Sequence, residues 1–500
     1  MDKVEWDDVQ GLVLSGYPRL PLSAYVLFRF RAQPADAAKR WLGALAGRLM
    51  RAGHGDGETE TGDGAPHLGA LKHAQGGTRH AINLALTARG LGQLPAGAAA
   101  LKDFSVEFVE GMAPPPDSVN GPPRRTNLLG DHGDSSPATW AWGGWNGNGD
   151  IDGMLLLFAP DPASLGVLVD DELAAMAEAA EPLRVASTGG DDPRLLQGQV
   201  YDDRKEHFGY TDGISQPVIE GSPRARREAP TQGDRRIHHV KPGEFVFGYA
   251  NERRVRTTGA DPAQLKRNGS YLVLRQLEQD VAAFQAFVAQ AAALLGGAGG
   301  AAQKEQNEEW VASRLVGRTR AGKPLALAPP HAHDPSNPVA RHSGGNDFLY
   351  YFEDRFGLQC PVGAHIRRAN PRDSKGPDPD TALRLSKMHR LIRRGRMYGE
   401  RFDPAASKSA DTRGLLFLCL NADIAGQFEM IQHSWLNNRH FGDLYAGSDP
   451  IGHAQLDDGT IVIQRRPTNL VLQRPKPFVR VRGGAYFFLP GIAAVRALAS

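Results

Sequence analysis

Apolar positions along the chain fall into two patterns, short unbroken runs and stripes at helical spacing. The run Tyr25-Val26-Leu27-Phe28-Arg29-Phe30 predicts a strand, and from about Ala35 the positions Ala38, Trp41, Leu42, Leu45 and Leu49 predict a helix. The same order returns much later. Tyr271-Leu272-Val273-Leu274 predicts a strand, and Val281, Phe284, Phe287, Val288, Ala291, Leu294 and Leu295 predict a helix that Gly296 and Gly297 end. A second strand-then-helix pair, 154–158 followed by 164–180, is matched by 415–418 followed by 424–435.

Tyr25 and Tyr271, like Leu155 and Leu415, lie roughly 250 residues apart, which predicts two related halves, each ferredoxin-like. Reading the apolar runs 9–14 and 244–247 as flanking strands gives an α+β class, antiparallel β-sheets covered by helices. Residues 1–190 form the first half, 191–240 a connector and 241–500 the second half. The basic run from Arg224 to His239 reads as a solvated loop, and the Gly- and Ala-rich 296–303 as a flexible one.

Composition narrows the function without naming it. Over 500 residues, 41% hydrophobic and 23% charged content suits ordered globular units and argues against disorder or coiled coil. A formal charge of +2 supplies no electrostatic reason for a nucleic-acid or membrane partner, and no apolar run reaches membrane-spanning length. The first residues, Met1 to Asp8, are acidic and carry neither an apolar signal core nor a twin arginine. Two cysteines, Cys360 and Cys419, suit free thiols in a reducing compartment, so a cytoplasmic location is expected.

Candidate chemistry concentrates in two segments. In His207-Phe208-Gly209-Tyr210-Thr211-Asp212-Gly213-Ile214-Ser215-Gln216-Pro217, two glycines bracket Asp212 and free its carboxylate to face something beyond its own backbone. Alone, this is equally an ordinary Asp-Gly turn. The second segment, Cys360-Pro361-Val362-Gly363-Ala364-His365-Ile366-Arg367-Arg368-Ala369-Asn370-Pro371-Arg372, sets one histidine among arginines with few local carboxylates. A neutral imidazole there suits a metal or haem iron, and arginines suit porphyrin propionates. His331, His333 and Asp334 form another metal-capable cluster, but Pro329, Pro330, Pro335 and Pro338 mark it as a mobile surface segment.

Taken together these segments resemble the dye-decolorizing peroxidases, a family of haem enzymes. The resemblance runs through Gly209 to Gly213, residues 360–372, Leu391-Ile392-Arg393-Arg394-Gly395 with Tyr398-Gly399, Gly414-Leu415-Leu416-Phe417, and the ending Gly483 to Pro490. Four ordered motifs are far more specific than one turn. The resemblance implies a peroxidase with haem b, held mainly by the C-terminal half, that acts on hydrogen peroxide and small organic donors such as dyes and phenolics. It also implies an oxoferryl porphyrin-radical intermediate and turnover in acid. A homo-oligomer remains open.

Carried over by position, the resemblance makes His365 the iron ligand, Asp212 the acid/base and Arg393 the distal arginine, with Arg394 as its fallback. Leu415 and Phe417, two apart on a strand, match the apolar pair of the peroxide channel. Arg372 joins the cofactor-binding set, and Asp449 or Glu429 accepts the other N–H of His365. One carboxylate suits moving a proton between peroxide oxygens, and a guanidinium suits the charge that builds on the departing one. Trp310, Tyr350, Tyr351, Tyr398 and Trp435 are electron-hopping candidates by position, with core packing the alternative for each, and His207 reads as a structural loop histidine. Two other readings stand beside the peroxidase: a haem-handling or iron-releasing protein, and a non-enzymatic ferredoxin-like assembly protein.

Overall fold

Each apolar run that the sequence marks as strand-then-helix folds in that order. The computed structural model describes residues 3–32, 36–54, 80–116, 123–146, 149–185, 188, 192–227, 236–256, 264–296, 299–326, 346–405, 412–452 and 459–500. Its strands are β1 (Leu22–Phe30), β2 (Ala81–Leu86), β3 (Gly153–Ala159), β4 (Ala180–Pro182), β5 (Leu196–Gln199), β6 (Val218–Ile219), β7 (His239–Val240), β8 (Ser270–Gln279), β9 (Ile392–Arg393), β10 (Arg396–Tyr398), β11 (Gly414–Asn421), β12 (Thr460–Ile463), β13 (Leu470–Gln473) and β14 (Val479–Leu489). Helices Ala37–Ala46 and Pro162–Met176 follow β1 and β3, and Val281–Ala293 follows β8. The helix after β11 runs as Ile424–Glu429 and Ile431–Leu436, wound wider than an α-helix with i to i+5 bonding.

Ten strands make one sheet, in the order β10-β5-β1-β3-β2-β14-β8-β11-β9 with β4 beside β1, and every pairing in it is antiparallel. The two expected ferredoxin-like sheets are thus continuous. Because β10 also pairs with β11, the hydrogen bonding returns on itself and closes a ring.

Closure explains why the strands read as unbroken apolar runs: both faces are buried. On one face Val26, Phe28, Leu155, Leu157 and Val273 pack under Trp41, Leu42, Leu168 and Val169 of the helices. On the other, Tyr25, Leu27, Leu156, Leu272, Leu274 and Leu420 pack against Val9, Leu12, Phe245 and Val246. Those last four residues correct the reading of 9–14 and 244–247 as strands. Gly11–Val13 and Pro242–Glu244 are short 3-10 turns that fill the second face. A short, fully buried apolar run carries no periodicity that separates strand from plug. Gln10 completes the plug, its side-chain amide donating to Leu84 O at 2.8 Å and Pro490 O at 2.9 Å.

Three other expectations are revised: in the run from Arg224 to His239, read as a solvated loop, Pro223–Arg227 is a short helix and His238 and His239 are buried, His239 opening β7. Gly296 does end its helix, at φ +68°, but a new helix, Gly300–Val316, begins inside the segment read as a loop, since Ala301, Ala302 and the residues behind them favour helix. The segment read as helix to Ala180 stops at Met176, and Ala180 opens β4. The cluster of His331, His333 and Asp334 lies outside the described residues, as do Gly297 and Arg235. Cys360 and Cys419 are free and buried. Among the described residues no helix is long and apolar enough to cross a membrane.

Candidate active site

The ring's helix-covered side holds a cavity of about 340 Å³. Its sheet wall comes from neighbouring strands: Leu415 and Phe417 of β11 pair with Leu277 and Arg275 of β8, and Leu277 pairs with Val481 of β14. Leu415 and Phe417 share a face, as two residues on one strand must. The facing wall is the wide helix, through Phe428, Ile431, Gln432 and Leu436. His365, Ile366 and Ala369 line the proximal side, and the Asp212 turn forms the rim.

His365 opens the short helix His365–Ala369, and its side chain is 29% exposed while Asp449 is fully buried. Nδ1 of His365 lies 3.2 Å from both Asp449 oxygens. With the proton on Nδ1, that contact is a hydrogen bond and the Nε2 lone pair is left for a ligand. Asp449 is itself fixed, accepting from the backbone N–H of Ile451 at 2.8 Å and Gly452 at 2.6 Å. Burial alone would raise the Asp449 carboxyl, but the His365 ring and Arg368 hold it at about 2. Burial likewise opposes a charged His365, yet Asp449 outweighs it and the imidazole pKa lies above its ordinary value.

Across the cavity Asp212 Oδ1 accepts from the backbone N–H of Gly213 at 2.6 Å, so the carboxylate is tied to its own turn, contrary to the expectation that the two glycines free it, and only its contact with Arg393 is loose. Arg393 Nη2 stands 3.6 Å from Asp212 Oδ1, with the two side chains 33% and 39% exposed. Gln216, from the same motif, ties the two together: its Oε1 accepts from Arg393 N and its Nε2 donates to Arg393 O, each at 3.1 Å. The Asp212 turn is held from behind by Phe208, whose ring lies 4.5 Å from Phe284 on the helix after β8.

A third feature is a corner rich in guanidinium groups. Arg318, Arg372, Arg390 and Arg393 all line the cavity. Arg372 stacks 3.7 Å over Phe348 and donates to Asn346 O and Phe348 O, at 2.7 and 2.8 Å. Arg390 is 7% exposed, its buried Nη2 meets no acceptor, and among the described residues it forms no ion pair. Burial first, then the like charges of Arg372 and Arg393, push Arg390 down to about 9. A buried, unpaired cation is costly unless an anion joins it, so this corner suits a ligand with carboxylates.

Other residues singled out from sequence fall elsewhere. Arg394 turns away and donates to Leu12 O and Val13 O, at 2.9 and 3.0 Å, so it is no substitute for Arg393. Glu429 pairs with Arg125 at 2.7 Å and accepts from Tyr486 at 2.8 Å, which leaves Asp449 as the carboxylate on His365. Arg367 and Arg368, next to the histidine, are spent on Asp354 and on the carbonyls of Gly363, Trp435, Asn438 and Gly447. Tyr350, Tyr398 and Trp435 are buried. His207 is buried too, with Nε2 2.8 Å from Tyr398 O. Sequence reasoning missed Arg390 and Gln216. Each sits within four residues of a named site residue, and that proximity was the signal available.

Comparison with known proteins places this geometry. No family model matches the chain. It is 32% identical over 379 residues to the multifunctional dye peroxidase DyP2 of Amycolatopsis sp., covering 73% of this chain and 74% of that protein. It is also 32% identical over 332 residues to a dye-decolorizing peroxidase of Mycena epipterygia, covering 59% of this chain and 57% of the relative. Among solved structures, a DyP-type peroxidase of Auricularia auricula-judae superposes over the full length of both chains with TM-score 0.73 at 23% identity. One from Anabaena sp. gives TM-score 0.73 at 24% identity, over 99% of this chain and 94% of the other. Such structural matches establish the α+β ferredoxin-like fold, and the sequence relatives establish the class: the protein is a peroxidase. It belongs to the dye-decolorizing peroxidase family, whose members are haem enzymes.

Proposed function

We propose that this chain is a haem b peroxidase that reduces hydrogen peroxide and oxidises small organic donors, dyes and phenolics among them, one electron at a time in acid. The observation that carries this reading is a single cavity lined by His365 on one side and by Asp212 and Arg393 on the other. The reading assigns most of the cofactor's contacts to residues 241–500, and the acid/base to the connector, 191–240, that follows the first half, 1–190.

Haem, when bound, supplies the iron at which the peroxide bond breaks and which then recovers electrons from donors. The chain's own residues do the rest. His365 offers Nε2 to the iron while Asp449 holds the Nδ1 proton and makes the ring a stronger donor. Arg390, whose Nη2 meets no acceptor, and Arg372 beside it would hold the propionate carboxylates. Asp212 takes a proton from one peroxide oxygen and returns it to the other. Arg393 stabilises charge on the departing oxygen with a planar guanidinium fixed in orientation, leaving the proton transfer to Asp212. Leu415 and Phe417 exclude bulk water from that exchange and narrow the way in.

A carboxylate base keeps working at a pH that silences an imidazole base, so turnover is expected at about pH 4. The deciding experiment is an absorbance spectrum of the haem-supplemented protein before and after one equivalent of peroxide, with dye oxidation followed alongside. A haem spectrum that responds to peroxide, and dye turnover that Asp212→Ala and Arg393→Ala both slow, is the expected result. Unchanged rates in both variants favour a haem-handling role, and no haem spectrum at all favours an assembly protein.

A further inference from the structure

Glu206 has no role in the reaction as derived above, yet its carboxylate borders the same cavity and its contacts converge on the turn that carries Asp212. Residues 204–212 fold back as a narrow hairpin in which Lys205 bridges Thr211. Glu206 N donates to Tyr210 O and Gly209 N donates to Glu206 O, both at 2.9 Å, with Gly209 at φ +94°. Tight reversal leaves two backbone N–H groups pointing inward, and each needs an acceptor. The Glu206 carboxylate takes both, Oε2 from Phe208 N and Oε1 from Tyr210 N, each at 2.9 Å. A third donor comes from the sheet: Gln279 Nε2, on β8, reaches Oε2 at 2.7 Å. Asp212 N closes the hairpin on Arg204 O at 3.3 Å.

We propose that Glu206 is a positioning residue that, by locking the turn and tying it to β8, sets where the Asp212 carboxylate stands relative to Arg393. The proposal rests on the reading of Asp212 as the acid/base. A carboxyl group on which three N–H donors converge from two backbone positions and a strand is a stiff joint, because each bond is directional. Stiffness is needed here because the Asp212–Arg393 contact itself is long and half-exposed.

A double-mutant cycle on the haem-loaded protein tests this, reading both the rate constant with peroxide and the cyanide affinity from the absorption spectrum. Glu206→Gln turns one acceptor into a donor facing a backbone N–H, and is expected to slow the peroxide reaction roughly tenfold to a hundredfold and to weaken cyanide binding, with the donor's KM unchanged. In an Asp212→Asn background the same change is expected to cost nothing further. Additive losses in the two backgrounds, or an unaffected rate in Glu206→Gln alone, would overturn the proposal. A full rate in Asp212→Asn alone instead removes the reading of Asp212 and this one with it. Should Glu206→Gln fail to fold, Gln279→Met deletes only the tie to β8 and carries the same cycle.

Discussion

The two sides of the cavity are built to different tolerances. On the proximal side, His365 meets Asp449 at 3.2 Å through both oxygens, and Asp449 is fully buried with two backbone N–H groups behind it. On the distal side, Asp212 and Arg393 face each other at 3.6 Å and are 39% and 33% exposed. On the proposed reading, the side that holds the iron is anchored at both ends, whereas the side that would exchange protons with peroxide keeps room to move. Order on the distal side comes instead from the backbone, through Gln216 and the hairpin around Glu206.

This contrast can be broken most severely at His365. His365→Ala should retain the fold by circular dichroism yet lose the haem absorption band on titration with haem, and peroxide-dependent oxidation should fall to that of free haem. Next in size, Asp212→Asn should bind haem normally but react with peroxide roughly 10²- to 10⁴-fold more slowly in stopped flow. If Asp212→Asn loses haem as well, the two sides are not separable. Asp449→Asn should weaken haem affinity about 10- to 100-fold while the turn on the other side is unchanged.

pH sharpens the comparison. Asp449, held at about 2, sits below its ordinary value, so the stability it contributes is complete above about pH 4 and is lost only as pH falls toward 2. His207, on the distal turn, is pushed down from 6.5 to about 4, by burial first. Between those values the unfolded chain binds the extra proton, so stability should fall as pH drops from about 6.5 to 4, by on the order of 3 kcal/mol. His207→Gln should flatten that slope in thermal unfolding; an identical slope would remove His207 as its source. Smallest of all, Arg390→Met should raise the stability of the haem-free protein by about 1 kcal/mol, because it removes an unpaired buried charge, while haem affinity drops. A calorimetric scan of both forms would show the opposite signs.

How much of this was legible depends on the distance over which a residue acts. Strand-then-helix order is local, and the runs at Tyr25 and Tyr271 carried it correctly. The motif at Asp212 and the histidine at 365 were singled out through the family resemblance, since residue type alone left each open, and both line one cavity. Choosing between Asp449 and Glu429 was not, since both are carboxylates far from His365 in sequence and only the packing of Arg125 and Tyr486 around Glu429 removes it from contention. Nor could the chain announce that 9–14 and 244–247 fill a closed ring: closure depends on β10 meeting both β5 and β11, and each of those contacts spans few residues.

That small strand has a consequence for how the protein fails. Arg393 ends β9, and β10 begins three residues later as the clasp that shuts the ring. Opening the clasp would free the chain just after Arg393, while the residue itself is still held by its pairing with Cys419 and its two bonds to Gln216. On the proposed reading, haem would stay on His365 in such a state while Arg393 lost part of its support. Gentle heating or dilute denaturant should then slow the enzyme before its colour and helical signal change.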